Sequence, residues 1–356
     1  MTSHQNGNSG GGSERQLAMV INLDKCIGCQ ACTTTCRTHW KVDRPGADHI
    51  YNMWVETKPG AGWPKNWMEM GNKKPDWVKD YGGSWKFNLE EVYKSPAGQE
   101  YLHPVVEETG EKVSYGPVWE EDRGGGEWPN GYFFYMPRMC NHCDDAACVT
   151  ACEDYCSRHD SPTAMTKRES DGIVSIDPDK CLDCHMCIAA CPYQIPMENI
   201  ETKSYESCDL CVSRVDRGYA PVCAKSCPAR AMYFGYLDDE DSFVSKLVNE
   251  YKVALPLRPD FGLGPNVYYV PPFIRPNKVD ENYANLPDTD LPVEVLREYF
   301  GPEVDQALAT LKEHREAAAN GEESELMDML IIYKLSDAFT PFEIIAPAEP
   351  VQVEGS

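Results

Sequence analysis

The chain has 356 residues, 42% of them hydrophobic and 25% charged, long enough for two or three domains. Its net charge of −24 excludes a phosphate-backbone binder, which needs basic patches. Mean hydropathy is −0.50 and no run approaches the roughly 18 apolar residues of a spanning helix, which excludes a direct transmembrane segment.

Residues 1–15 (MTSHQNGNSGGGSER) carry no apolar stretch and no twin arginine. They read as a disordered lead-in without an export signal. The segment 18–36, AMVINLDKCIGCQACTTTC, returns at 172–192 as GIVSIDPDKCLDCHMCIAACP. Both copies run apolar strand, Asp-Lys, then Cys-x2-Cys-x2-Cys-x3-Cys. Alternation through Met19 and Ile21, and through Ile173, Val174 and Ile176, predicts the strands. Small residues at 33–35 and 189–190 predict a short helix after each third cysteine.

Residues 37–139 hold all eight tryptophans, Trp40 to Trp128, among Gly/Pro-rich stretches such as PGAGWP at 59–64. Irregular chain with short strands is expected, one of them at 131–136. These aromatics suit the core of a domain short of aliphatic residues, and also a broad docking surface. Cys140, Cys143, Cys148 and Cys152 then form a looser group, as do Cys208, Cys211, Cys223 and Cys227. The tail, 238–356, holds 24 acidic and 9 basic residues. Asp290 is placed to cap a helix beginning near Pro292. Gly301 interrupts it, and Pro302 opens a second with Val304, Ala307, Leu308 and Leu311 on one face. Asn320-Gly321 ends that helix, and 322–335 is a third.

The 17 cysteines fall in two blocks, 26–36 and 140–227. Clusters this tight point to metal rather than to a disulfide framework. A cubane iron–sulfur cluster takes four thiolates at tetrahedral corners. Cys-x2-Cys-x2-Cys wraps three of them round one cluster, and the fourth cysteine ligates the neighbouring cluster. Pseudo-twofold pairing of the first group with the fourth, and the second with the third, gives four sets. Cluster one takes Cys26, Cys29, Cys32 and Cys227. Cluster two takes Cys208, Cys211, Cys223 and Cys36. Cluster three takes Cys140, Cys143, Cys148 and Cys191. Cluster four takes Cys181, Cys184, Cys187 and Cys152.

The expected fold is α+β, with two bacterial-ferredoxin-type modules, each a double 4Fe–4S unit. One module is 16–36 with 200–237, the other 140–199. A long Trp-rich insertion covers 37–139, and a partly helical acidic extension at 238–356 serves partner docking. Structural zinc also uses four-cysteine sites, so a zinc-stabilised interaction scaffold is the alternative from another class. Proline follows Cys191 and Cys227 but not Cys36 or Cys152. Cys156 is spare: an inert thiol, a substitute for Cys152, or an extra site with His159. The x3 spacing favours Cys152 as the ligand. His142 and His185 read as hydrogen-bonding or packing residues, and Lys25 and Lys180 as tuning charges or solvated lysines. No dinucleotide, P-loop, nucleophile-elbow or His-Glu-x-x-His motif is present, so no catalytic residue is assigned. The chain reads as a non-catalytic wire.

The four-group arrangement, the long insert, VETKPGAGW at 55–63, MCNHCDDAAC at 139–148 and LVNEYKVALPLRPDFGLGPNVYYVP at 247–271 resemble a known family. It is the beta (iron–sulfur) subunits of the type II dimethyl sulfoxide reductase family: respiratory nitrate reductase and the ethylbenzene, dimethylsulfide, selenate, chlorate and perchlorate enzymes. The likeness covers about residues 16–345. It implies electron transfer between an alpha subunit with a molybdenum bis-pterin cofactor and a haem b gamma subunit or membrane anchor, as in a nitrate-reductase-like complex. It also implies the same cysteine pairing and a soluble subunit of a membrane-associated or periplasmic-side complex. Export would then rely on a partner with a twin-arginine signal; the cytoplasmic face is the alternative. A polyferredoxin-type subunit of a formate dehydrogenase or hydrogenase is the second reading, though such chains usually lack this insert and tail. Many relatives place a non-ligand where this chain has Cys184, giving a three-iron fourth cluster. Cys184 therefore implies a four-iron cluster of lower potential. The stretch after Cys152 is also longer than the family pattern.

Overall fold

The aliphatic run that opens the first repeat becomes an inner strand of the main sheet. The computed structural model describes residues 15–41, 50–62, 67–70, 85–96, 104–112, 124–126, 131–199, 201–273 and 293–344. In chain order the first strands are β1 (Leu17–Asn22), β2 (Met53–Lys58), β3 (Trp85–Phe87), β4 (Pro104–Val106), β5 (Phe134–Met139) and β6 (Met165–Lys167). There follow β7 (Val174–Ile176), β8 (Met197–Asn199), β9 (Ser204–Glu206), β10 (Met232–Tyr236), β11 (Leu255–Pro256) and β12 (Val267–Val270). The helices begin with α1 (Ala31–Lys41), α2 (Trp67–Met70), α3 (Leu89–Lys94), α4 (Ala147–Arg158), α5 (Met186–Ala190) and α6 (Val212–Val215). They continue with α7 (Val222–Lys225), α8 (Phe243–Ser245), α9 (Val293–Phe300), α10 (Val304–Ala319) and α11 (Glu325–Ile331).

The main sheet has the order β10-β1-β12-β11. β1 pairs antiparallel with β10, Leu17 opposite Tyr236, and parallel with β12, Met19 opposite Val267. Alternation in β1 predicts one wet face, but every residue from Leu17 to Asn22 is buried. The reason is position: β1 is flanked by strands on both edges and covered on both faces, so a continuous apolar run replaces alternation. In the second repeat, Val174 is buried while Ser175 and Ile176 are half-buried, and β7 pairs only with β6.

The acidic tail is part of this core. It supplies β11 and β12, and its helices bury Leu296, Phe300, Val304, Ala307, Leu311, Leu326 and Met329 in the cluster that holds β1. The three helices follow the sequence punctuation. Gly301, at φ 77°, separates α9 from α10, and Gly321, at φ 87°, follows the end of α10. Ser324 caps α11 by accepting the Met327 N–H. Leu308 is half-buried rather than buried. Asp290 and Pro292 lie outside the described residues, as do 1–14 of the lead-in. Arg15, by contrast, is tied into the fold: its Nε lies 2.9 Å from Asp238 and its guanidinium stacks over Tyr236.

In the Trp-rich region, β2 and β5 pair antiparallel from Met53–Met139 to Lys58–Phe134. The strand expected at 131–136 thus sits three residues later. Trp54 and Trp67 are fully buried, which supports the core role for these two, and Trp40 is half-buried. Trp63, Trp77, Trp119 and Trp128 lie outside the described residues. Beneath these rings lies a buried ion network. Glu56 accepts from Lys58 Nζ at 2.8 Å, Arg138 Nη1 at 2.9 Å and Trp54 Nε1 at 2.7 Å. Burial works to raise the Glu56 carboxyl, and Arg138 and Lys58 outweigh it, holding it at about 2. Gly62 closes over this site: a side chain there would collide with Lys58 Nζ and the Glu56 carboxylate.

Candidate metal centres

Each ligand loop turns by the same device. The residue before the second cysteine of each of the four groups is left-handed: Gly28 at φ 64°, His142 at 45°, Asp183 at 52° and Leu210 at 52°. Only Gly28 takes this conformation without steric cost, and it has a second reason to be glycine: a Cβ would sit 2.6 Å from the Tyr135 ring. For the other three, the strain of about 1–2 kcal/mol is held by the surrounding fold, as at functional sites elsewhere. Helices α1, α4, α5 and α7 then carry the later cysteines inward.

The structure brings the predicted thiols together in four sets. Cys26 is an electrostatic neighbour of Cys227 and Cys29, and Cys32 of Cys26 and Cys227. Cys36 neighbours Cys208 and Cys211, and Cys223 neighbours Cys211 and Cys36. Cys143 neighbours Cys140, Cys191 and Cys148. Cys187 neighbours Cys181, Cys184 and Cys152. The sets are also electrostatic neighbours in series. Cys36 and Cys223 feel Cys32, Cys208 feels Cys140, and Cys187 feels Cys148.

All 17 cysteines are free thiols. Burial pushes Cys26 up to about 11, and Cys32 and Cys140 to about 12. Burial, followed by neighbouring thiols, pushes Cys36, Cys143, Cys148, Cys187, Cys208 and Cys223 well above the ordinary value. Four thiolates cannot share such a site without a bound cation to offset their charge. The donor set therefore fits a metal cluster, and so do the cavities. One is lined by Cys140, Cys143, Cys148 and Cys191 with apolar neighbours. The other is lined by Cys152, Cys181, Cys184 and Cys187, and also by Cys156.

Backbone N–H groups donate to sulfur at 3.4 Å in three of the sets: Ala231 to Cys227, Leu210 to Cys208, and both Met165 to Cys152 and Tyr205 to Cys181. His142 is buried; its Nδ1 accepts the Val174 N–H at 3.0 Å, and burial lowers it to about 3, so it is neutral. His185 Nδ1 lies 2.5 Å from the Tyr205 hydroxyl. Both histidines thus hold the loops by hydrogen bonds, as the sequence suggests. The two lysines differ. Lys180 pairs with Asp177 in an exposed turn. Lys25 is half-buried: its Nζ donates to the Leu330 and Ile331 carbonyls at the end of α11, and burial lowers it to about 8.

Cys156 is buried, and its Sγ lies 3.9 Å from that of Cys152. The extra site with His159 does not form. His159 is exposed, stacks on Tyr155 at 4.0 Å and hydrogen-bonds the Tyr155 carbonyl. The left-handed turns and the Lys25 contact are what sequence reasoning missed. Only Gly28 carried a signal for the former.

Comparison with known proteins adds an independent line. Residues 132–237 match the 4Fe-4S dicluster domain. The chain is 41% identical over 340 residues to selenate reductase subunit beta of Thauera selenatis, spanning 92% of this chain and 99% of that one. It is 40% identical to dimethylsulfide dehydrogenase subunit beta of Rhodovulum sulfidophilum, over 92% and 98%. It is also 40% identical to respiratory nitrate reductase subunit beta of Haloferax mediterranei, over 90% and 91%. Among the described residues no helix is long and apolar enough to cross a membrane.

Proposed function

We propose that this chain, which belongs to the iron–sulfur beta subunits of the type II dimethyl sulfoxide reductase family, relays electrons through four 4Fe–4S clusters in series. The observation that carries the reading is the order of the thiol sets, each in electrostatic contact with the next through Cys32 and Cys36, Cys208 and Cys140, and Cys148 and Cys187. The sixteen ligands are those of the four sets above, with Cys152 completing the fourth. Each bound cluster supplies a one-electron centre. The chain's own residues hold it, exclude water, and tune it through N–H···S hydrogen bonds, which stabilise the reduced form.

Both ends of the series reach the surface. Ile27, beside Cys26, is 61% exposed, and Leu182, beside Cys181, is 44% exposed. These loops suit the exchange of electrons with partners: a molybdenum bis-pterin alpha subunit at one end and a haem b gamma subunit or anchor at the other. Residues 37–139 form an insertion between ferredoxin-type modules, and the outer surface of 238–356 docks a partner. Export with a partner that carries a twin-arginine signal completes the reading.

Redox titration of the purified complex by electron paramagnetic resonance tests it. Four one-electron signals are expected from this chain, with magnetic coupling between successive clusters. Because Cys184 is present, anaerobically oxidised protein shows no three-iron signal. Fewer than four signals, or a three-iron fourth cluster, contradicts the reading.

A further inference from the structure

Five thiols, not four, line the cavity of the fourth set. The fifth arrives by a local accident of sequence. After Cys191 and Cys227 a proline follows, and each preceding helix has already ended: α5 at Ala190 and α7 at Lys225. After Cys152 comes Glu153, so α4 continues to Arg158. Cys156 is four residues on and therefore on the same helical face. It is 2% exposed. In α1, which also runs on past its follower cysteine, the equivalent position is Trp40, half-buried against the core. A packing residue there is thus compatible with the fold, and α4 has a thiol instead.

The Cys152 and Cys156 sulfurs are 3.9 Å apart. A metal–thiolate bond is roughly 2.3 Å at a tetrahedral zinc site, so one metal atom can sit within bonding reach of both. Cys156 also neighbours Cys184 electrostatically, across the cavity from α4. We propose that Cys156 is an alternative ligand to the same iron corner as Cys152, so that the fourth cluster survives the loss of either. In the exchange one iron–thiolate bond, to Cys152, breaks and one, to Cys156, forms. The Cys156 proton passes to the Cys152 thiolate, and no electron moves. The inference rests on the four-cluster reading above.

The test uses the full complex, purified anaerobically, carrying Cys152→Ala, Cys156→Ala or both. Iron per beta chain and the paramagnetic signals are the readouts. Each single variant is expected to match wild-type iron to within one atom and to keep a four-iron fourth cluster. The double variant loses that cluster or retains it as a three-iron form. If either single variant behaves like the double, the proposal is overturned. Where an alanine variant fails to assemble, the valine variant, which fills the site rather than leaving a void and carries no ligand atom, is read in the same way. Full wild-type iron with a failing single variant overturns this proposal alone. Wild-type protein with zinc in place of iron overturns the four-cluster reading along with it.

Discussion

At the residue scale, the cysteine sets were legible and their surroundings were not, for a physical reason. Ligand spacing is local chemistry: three thiols within seven residues can wrap one cluster whatever the rest of the chain does. The left-handed turns at His142, Asp183 and Leu210 fall on residues other than glycine, so no glycine marks them. The Glu56–Lys58–Arg138 network was equally hidden. Two strands 82 residues apart must pair before Arg138 meets Glu56. Glu56→Gln would leave two buried cations without their carboxylate, a change that typically costs about 3–5 kcal/mol. A fall in thermal midpoint of the variant complex is expected; an unchanged midpoint would show the network to be neutral. Glu56 is held at about 2, below the ordinary 4.5. Its stabilising contribution is therefore full above the ordinary value and lost as pH falls through about 2. Acid unfolding followed by circular dichroism should lose this component in Glu56→Gln.

At the element scale, the helices of the tail followed their Gly and Asn-Gly punctuation, whereas β11 and β12 did not declare themselves. They are short and bounded by Pro and Gly; β12 becomes a strand only by adding to β1, almost 250 residues distant in sequence, and β11 only by adding to β12. Such non-local pairing is invisible to a local pattern. The same sheet makes the tail structural. Phe300 is fully buried, with its ring 5.9 Å from that of Tyr269 on β12. Phe300→Ala should destabilise by about 3–5 kcal/mol, read as a lower anaerobic unfolding midpoint. Lys25 links α11 to the first ligand loop, and it neighbours Cys227. Replacing it with methionine removes a cation beside the first cluster, so the midpoint potential of that cluster should fall while the other three hold. An equal shift in all four would point instead to general loosening.

At the scale of the whole molecule, the four sets neighbour one another in series, and exposed loop residues, Ile27 and Leu182, mark the first and the fourth. Breaking the middle should therefore separate the ends. Cys208→Ser is expected to remove the second cluster and stop electron passage through the complex, while the signals of the first and fourth clusters persist. Continued turnover at the wild-type rate would mean that electrons bypass the series. The most direct test is metal analysis of the complex, isolated anaerobically through a tag on this chain, after subtraction of the partners' iron. The four-cluster account predicts about sixteen irons and as many acid-labile sulfides per chain. About four zincs and little iron would contradict it, and the sets would then be structural metal sites rather than a path for electrons.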